Sequence, residues 1–362
     1  MVRADLSSLP AYVPGASVEG ALKLASNEST LAPLPSVAQA ITEAAAGINR
    51  YPDMGGFALR KKIAEWFSAQ PTSASPTTFT TENVALGNGS SALCLQSIQA
   101  TCAQGEEVIF AWRSFEAYPI LTRIAGATPV QVPLTPDHSH DLSAMAQAVT
   151  ERTRLIFVCN PNNPSGTTIT DAQLRTFLAS IPAHVQVVLD EAYVEYNRAE
   201  DQPDQHALLA EFPNLAVCRT FSKAYGLAGL RLGYMVGSPE FIEAVNKVGI
   251  PFGVNALSQV AGVASLEARD ELLQRVDHTV EQRARVERVI AEAAPDLLVP
   301  SQANFVWLPL GESAQAFDEA LKSNGIVARC FAGEGVRVTV TNDVETDQLI
   351  EALRAALPVA GA

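Results

Sequence analysis

Cys218-Arg-Thr-Phe-Ser-Lys-Ala-Tyr-Gly-Leu-Ala-Gly-Leu-Arg231-Leu-Gly-Tyr234 continues the apolar run Leu215-Ala-Val217, and together they read as a buried strand that opens into a small-residue loop. The loop carries Lys223, with Arg231 eight positions on. A lysine at the C-terminal end of a buried strand sits in a partly dry cleft. Desolvation and a nearby cation there lower its pKa and suit the amine to imine formation with a carbonyl. Arg231 supplies such a cation, and its planar fork also grips phosphate. Ser222 adds a hydroxyl at the same place. A lysine taken alone is more often a solvated surface residue, and it is the partners of Lys223 that point elsewhere.

Those partners lie upstream, each at the end of an expected strand. Arg154-Leu-Ile-Phe-Val-Cys159 reads as a buried parallel strand and runs into Asn160-Pro-Asn-Asn-Pro-Ser-Gly166, a turn rich in free amides. Val185-Gln-Val-Val-Leu189 is followed by Asp190-Glu-Ala-Tyr193. An acid at that position suits a protonated pyridine nitrogen, and Tyr193 a ring oxygen. Val84-Ala-Leu86 meets Gly87-Asn-Gly-Ser-Ser-Ala92, where a helix starting at the serines would present backbone N–H groups to an anion. Four strands thus deliver a lysine, an acid, an amide and a phosphate cradle to one edge, where open α/β sheets bind ligands. A lysine imine beside a phosphate site describes pyridoxal phosphate chemistry.

Over essentially the whole chain these motifs resemble the fold-type I, pyridoxal-phosphate-dependent aminotransferases of class I/II. Within that class the chain looks most like the branch of aromatic amino acid (phenylalanine) and histidinol-phosphate aminotransferases. The resemblance implies an α/β fold, with a large domain on a mostly parallel seven-stranded sheet and a smaller α+β domain. It implies pyridoxal 5'-phosphate as cofactor and Lys223, Asp190 and Tyr193 as the catalytic set. Lys223 would hold the cofactor and carry the proton, Asp190 would pair with the pyridine nitrogen, and Tyr193 and Asn163 would bond the phenolic oxygen. Phe115, in Trp112-Arg-Ser-Phe-Glu-Ala-Tyr-Pro119, matches the aromatic that stacks on the ring. Gly89, Ser90, Ser91, Ser222 and Arg231 match the phosphate cup. Tyr51, in Asn49-Arg-Tyr-Pro-Asp53, matches a tyrosine that reaches the phosphate from the neighbouring subunit of a homodimer. Arg337, in Gly335-Val-Arg-Val-Thr-Val340, matches the clamp on the substrate carboxylate, and Asn163, Asn27, Tyr12 and Arg329 match positions around the substrate.

Arg337 has a reading of its own: Val336, Val338 and Val340 share one strand face, so Arg337 and Thr339 take the other. Pattern alone is equally consistent with an arginine on a solvated face. Three departures from the family pattern are informative. Ser165 stands where the turn usually has threonine, a change that keeps the turn. Ser91-Ala92 and Asn27-Glu-Ser-Thr30 differ from the histidinol-phosphate branch and look more like the aromatic one. The expected reaction is therefore transamination between an aromatic L-amino acid and 2-oxoglutarate, giving the aryl 2-oxo acid and L-glutamate; the alternative donor is histidinol phosphate.

Composition bounds the picture. The 362 residues, 48% hydrophobic, suffice for a large domain and a smaller one. The expected boundaries are an arm over 1–30, a cofactor-binding domain over 31–245 and a small domain over 246–362. No run approaches the roughly 20 apolar residues of a membrane span, and the N-terminus lacks the apolar core of a signal peptide. Five cysteines without a C-x-x-C pair read as reduced thiols, which with the absent signal suggests the cytoplasm. His138 and His140 sit in a polar loop without companion ligands, so they are expected at the surface and no metal is expected. A formal charge of −14 argues against nucleic-acid and membrane partners, while leaving room for a locally positive pocket.

Two rival readings fail on context. Gly87 to Ala92 formally satisfies the dinucleotide fingerprint G-x-G-x-x-G/A, but that fingerprint should open the first βαβ unit with an acid at the end of the next strand, whereas about eighty residues come before the glycines and Glu106 and Glu107 precede Val108. A DNA-binding regulator built on the same fold would need an added basic helix-turn-helix domain, for which there is no room. A decarboxylase using the same cofactor is compatible with the fold.

Overall fold

The computed structural model describes residues 18–70, 72 and 77–360. After a short strand, Leu22–Lys23 (β1), the strands Val84–Gly87 (β2), Glu107–Trp112 (β3), Thr128–Pro133 (β4), Thr153–Cys159 (β5), Gln186–Asp190 (β6), Leu215–Thr220 (β7) and Gly233–Gly237 (β8) follow in turn. All but β1 form one seven-stranded sheet in the order β2-β8-β7-β6-β5-β3-β4. Strand β8 runs antiparallel to both neighbours, and the remaining pairings are parallel. This is the mostly parallel α/β sheet expected from continuous apolar strands spaced by helical stretches.

Between and around the strands lie helices Pro35–Ala44 (α1), Phe57–Ser68 (α2), Ser90–Thr101 (α3), Ala117–Ile124 (α4), Leu142–Gln147 (α5), Asp171–Ser180 (α6), Gln205–Glu211 (α7), Pro239–Lys247 (α8), Ala256–Glu267 (α9) and Arg269–Ala293 (α10). A parallel sheet buries both faces, and strand periodicity divides its residues between two cores. Ile109, Ile156, Val187 and Val217 face one core with Leu174 of α6 and Ile63 of α2. Phe110, Phe157, Val188 and Ala216 face the other with Leu93 of α3, Tyr118 of α4 and Ile242 of α8.

The chain then forms Phe305–Leu308 (β9), Ala314–Ser323 (α11), Ile326–Val327 (β10), Arg329–Phe331 (β11), Gly335–Thr339 (β12) and Asp343–Ala356 (α12). Strands β11, β12 and β9 make a small antiparallel sheet, while β1 pairs in parallel with β10. Residues 326–331 are thus split between two sheets. A separate core gathers Val336, Val338, Phe317, Leu321, Leu349 and Leu353 with Val286 and Ile290 of α10, whose first turns place Leu272 and Val276 in the large core.

One surface expectation is corrected. His140 is buried rather than exposed, and burial pushes its imidazole down to about 4. The loop folds back on the protein: Thr167 donates to the His138 carbonyl at 2.9 Å and the His138 ring meets Trp307 edge-on. Among the described residues no cluster of His, Cys, Asp and Glu is placed to hold a metal, and no helix is long and apolar enough to cross a membrane.

Candidate active site

The C-terminal ends of β5, β6 and β7 and the start of α3 surround a cavity of about 130 Å³. Its walls carry Asn27, Ser90, Ser91, Phe115, Asn163, Asp190, Tyr193, Ser222, Lys223, Arg231 and Arg337 together, although their sequence positions span the chain.

Asp190 ends β6 in register with Cys159 on β5 and Cys218 on β7, so the three side chains leave the same sheet face. Tyr118 closes over them. Its Oη donates to Asp190 Oδ2 at 2.7 Å, and its ring stacks on Phe157 with centroids 4.6 Å apart. Cys94 of α3 lies 4.0 Å from the same oxygen. The other oxygen, Oδ1, is buried with no hydrogen-bond partner. Burial pushes the Asp190 carboxyl up to about 6; the Tyr118 bond opposes that rise and neighbouring Glu191 adds to it. Glu191 itself faces the opposite side, where it is buried against Arg219 at 2.7 Å.

Lys223 follows β7, and its Nζ donates to the Ser26 carbonyl at 2.9 Å. Burial, then the Arg337 charge, lowers this amine to about 7, with Arg231 acting in the same direction and Glu28 against it. The chain's early segment is held in place at this point. Asn27 takes a left-handed backbone (φ 55°), a conformation asparagine tolerates. Thr339 of β12 donates to Asn27 Oδ1 and receives the Asn27 N–H, both at 3.0 Å. Asn27 Nδ2 then donates to Tyr193 Oη at 3.0 Å, fixing the phenol. Burial raises the Tyr193 pKa, so the phenol is protonated at neutral pH.

At the other end of the cavity the geometry suits an anion. Helix α3 starts at Gly89 with no side-chain cap, leaving its first N–H groups open to a ligand. Its first turn, carrying Ser90 and Ser91, faces the cavity. Arg231 Nη1 donates to Ser222 Oγ at 3.2 Å and to the Ala228 carbonyl at 3.0 Å. Gly89 lies directly behind that guanidinium: a Cβ there would stand 2.5 Å from Arg231 Nη2.

Arg337 is buried rather than solvated. It donates to Asn163 Oδ1 at 2.5 Å and to the Ala25 carbonyl at 2.7 Å. Arg329 does not line the cavity; its guanidinium is held by Glu116. Tyr51 is 83% exposed and packs on Phe252 with ring centroids 4.7 Å apart, away from this chain's own cavity. Tyr12 lies outside the described residues. Sequence reasoning missed Tyr118 and the Ser26 carbonyl. Tyr118 had a signal, since it falls one helical turn after Phe115, but the carbonyl had none.

The chain has relatives among known proteins. The model of the family "Aminotransferase class I and II" matches residues 19–353. An aromatic amino acid aminotransferase of Corynebacterium jeikeium is 62% identical over 366 aligned positions, covering 100% of this chain and 95% of its own. Another, of Mycobacteroides abscessus, is 52% identical over 354, covering 98% of each chain. The solved histidinol-phosphate aminotransferase from Sinorhizobium meliloti, in complex with pyridoxal-5'-phosphate, superposes with a TM-score of 0.87 at 28% identity, covering 99% of this chain and 97% of that one. By its sequence match and its fold, the chain belongs to the class I and II aminotransferases of fold type I.

Proposed function

We propose that this protein moves an amino group from an aromatic L-amino acid (phenylalanine, tyrosine or tryptophan) to 2-oxoglutarate with pyridoxal 5'-phosphate, releasing the aryl 2-oxo acid and L-glutamate. The carrying observation is Asp190, one oxygen held by Tyr118 and the other buried without a donor. A buried carboxylate oxygen is costly until a donor reaches it, and a protonated pyridine nitrogen is such a donor. The first turn of α3, Ser222 and Arg231 suit the phosphate, Tyr193 and Asn163 the phenolic oxygen, and Phe115 a ring face. Bound there, the cofactor supplies an electron sink for the α-carbon of the substrate.

The protein's own part follows from its groups. Lys223, with a pKa of about 7, is partly neutral at physiological pH, so its Nζ is able to attack a carbonyl and later to take the proton from the substrate α-carbon. Tyr118 favours the ionised form of Asp190 and fixes its rotamer. Arg337 offers a fork to the carboxylate that donor and acceptor share. The aromatic donor is supported by relatives of that name at 52–62% identity. A homodimer is supported by the exposed apolar surface of Tyr51, Met54, Phe57 and Ile250, beside a groove lined by Met54, Ile250 and Phe252. In that assembly Tyr51 would serve the second copy's phosphate site. The free state of all five cysteines supports a cytoplasmic location.

Steady-state transamination with 2-oxoglutarate tests the reading, comparing kcat/KM for phenylalanine, tyrosine and tryptophan with that for histidinol phosphate. An aromatic donor should lead. A lead for histidinol phosphate overturns the assignment and makes Arg337 a phosphate ligand.

A further inference from the structure

Arg329 and Arg337 stand directly opposite each other on β11 and β12, so both side chains leave the same face of the small sheet. Like charges in that position are destabilising unless each finds its own acceptors. Arg337 finds the Asn163 amide oxygen and the Ala25 carbonyl beside the cavity. Arg329 finds a carboxylate. Its Nε donates to Glu116 Oε2 at 3.1 Å and its Nη2 to Oε1 at 2.8 Å, the two-bonded planar pairing that is strongest for this residue. The pair is largely shielded, its side chains 16% and 25% exposed, so salt screens it weakly. Glu116 directly follows Phe115, which lines the cavity. A second ion pair, Arg113 with Glu334, ties the same two segments together.

We infer that Glu116 is a specificity-determining residue: it is the built-in counter-anion of Arg329, which lies behind the cavity wall beside Arg337 and Phe115, and it biases the cleft toward uncharged aromatic donors. The inference rests on the proposed function. With the guanidinium already neutralised, a phosphate ester or distal carboxylate entering there must displace Glu116, leaving a half-buried carboxylate without its partner. An aromatic ring displaces nothing. Selectivity therefore comes from a penalty on the competitor as much as from contacts to the preferred donor. The same pair works against 2-oxoglutarate, whose distal carboxylate meets an occupied arginine, so acceptor affinity falls as donor selectivity rises.

Glu116→Gln keeps the side chain's size and removes its charge. In the holoenzyme the kcat/KM ratio of histidinol phosphate to phenylalanine should rise about tenfold, equivalent to about 1.4 kcal/mol, and KM for 2-oxoglutarate should fall. Glu334→Gln breaks the neighbouring tie without touching Arg329, and its ratio should stay within about twofold of wild type. Arg329→Gln leaves Glu116 as an uncompensated anion and should move the ratio the opposite way, against histidinol phosphate. In that background Glu116→Gln removes the uncompensated anion and should return the ratio only to about the wild-type value, short of the roughly tenfold rise seen with Arg329 present, a difference that a double-mutant cycle reads directly. The inference is overturned if Glu116→Gln leaves the ratio unchanged, or if Glu334→Gln shifts it equally, since the pair would then only tie the segments together. Wild-type enzyme that fails to turn over phenylalanine would instead overturn the proposed function, a result obtained before any variant is made.

Discussion

Lys223 and Asp190 are displaced toward each other on the pH scale, the amine down to about 7 and the carboxyl up to about 6, both chiefly by burial. For the lysine this has a measurable cost. The unfolded chain holds that proton up to its ordinary value of 10.5, and the folded chain only to about 7. Between those values the unfolded state binds more protons, so the stability of the cofactor-free protein rises with pH; the penalty is full below 7 and gone near 10.5. Lys223→Met should therefore abolish turnover yet stabilise the cofactor-free protein at pH 6 by on the order of a few kcal/mol, a gap that closes toward pH 10. Urea denaturation across pH checks this, and a gap independent of pH would show that the amine is not desolvated. At this scale the motifs exposed the lysine, the acid and their loops, because strand ends followed by turn formers are legible in sequence. Tyr118 and Glu116 were not singled out, since what they do depends on partners 72 and 213 positions away.

At the level of elements, the site depends on three parallel strands ending level with one another and on a helix without a cap. The register of Cys159, Asp190 and Cys218 gives the acid its dry surroundings, and the bare start of α3 gives the anion site its N–H groups. Gly89 joins the two. Its φ is 77°, and a Cβ would collide with the Arg231 guanidinium, so Gly89→Ala should displace that arginine while leaving the sheet intact. Affinity of the cofactor-free protein for pyridoxal phosphate should drop about tenfold or more, measured by equilibrium dialysis; unchanged affinity would remove Arg231 from the phosphate site. The strands of the large sheet were readable because burial on both faces leaves continuous apolar runs. The division of 326–331 was not, because it depends on a partner strand at the opposite end of the chain.

In the molecule as a whole, separate cores are bound into one body by α10, which enters the large core with Leu272 and the small one with Val286. Both cores are therefore expected to melt together. Phe317→Ala, deep in the small core, should lower stability by about 3–5 kcal/mol in a single transition seen alike by circular dichroism and tryptophan fluorescence. An early separate transition would show that the cores unfold independently. The binding of Asn27 to Thr339, 312 positions along the chain, has a further consequence during synthesis. Residues 84–237 carry every strand of the large sheet, but Asn27, and through it the Tyr193 phenol, waits for β12, about a hundred residues further along the chain. A nascent chain or one truncated before β12 thus lacks the Asn27 anchor, and the site is finished only once Thr339 has been made.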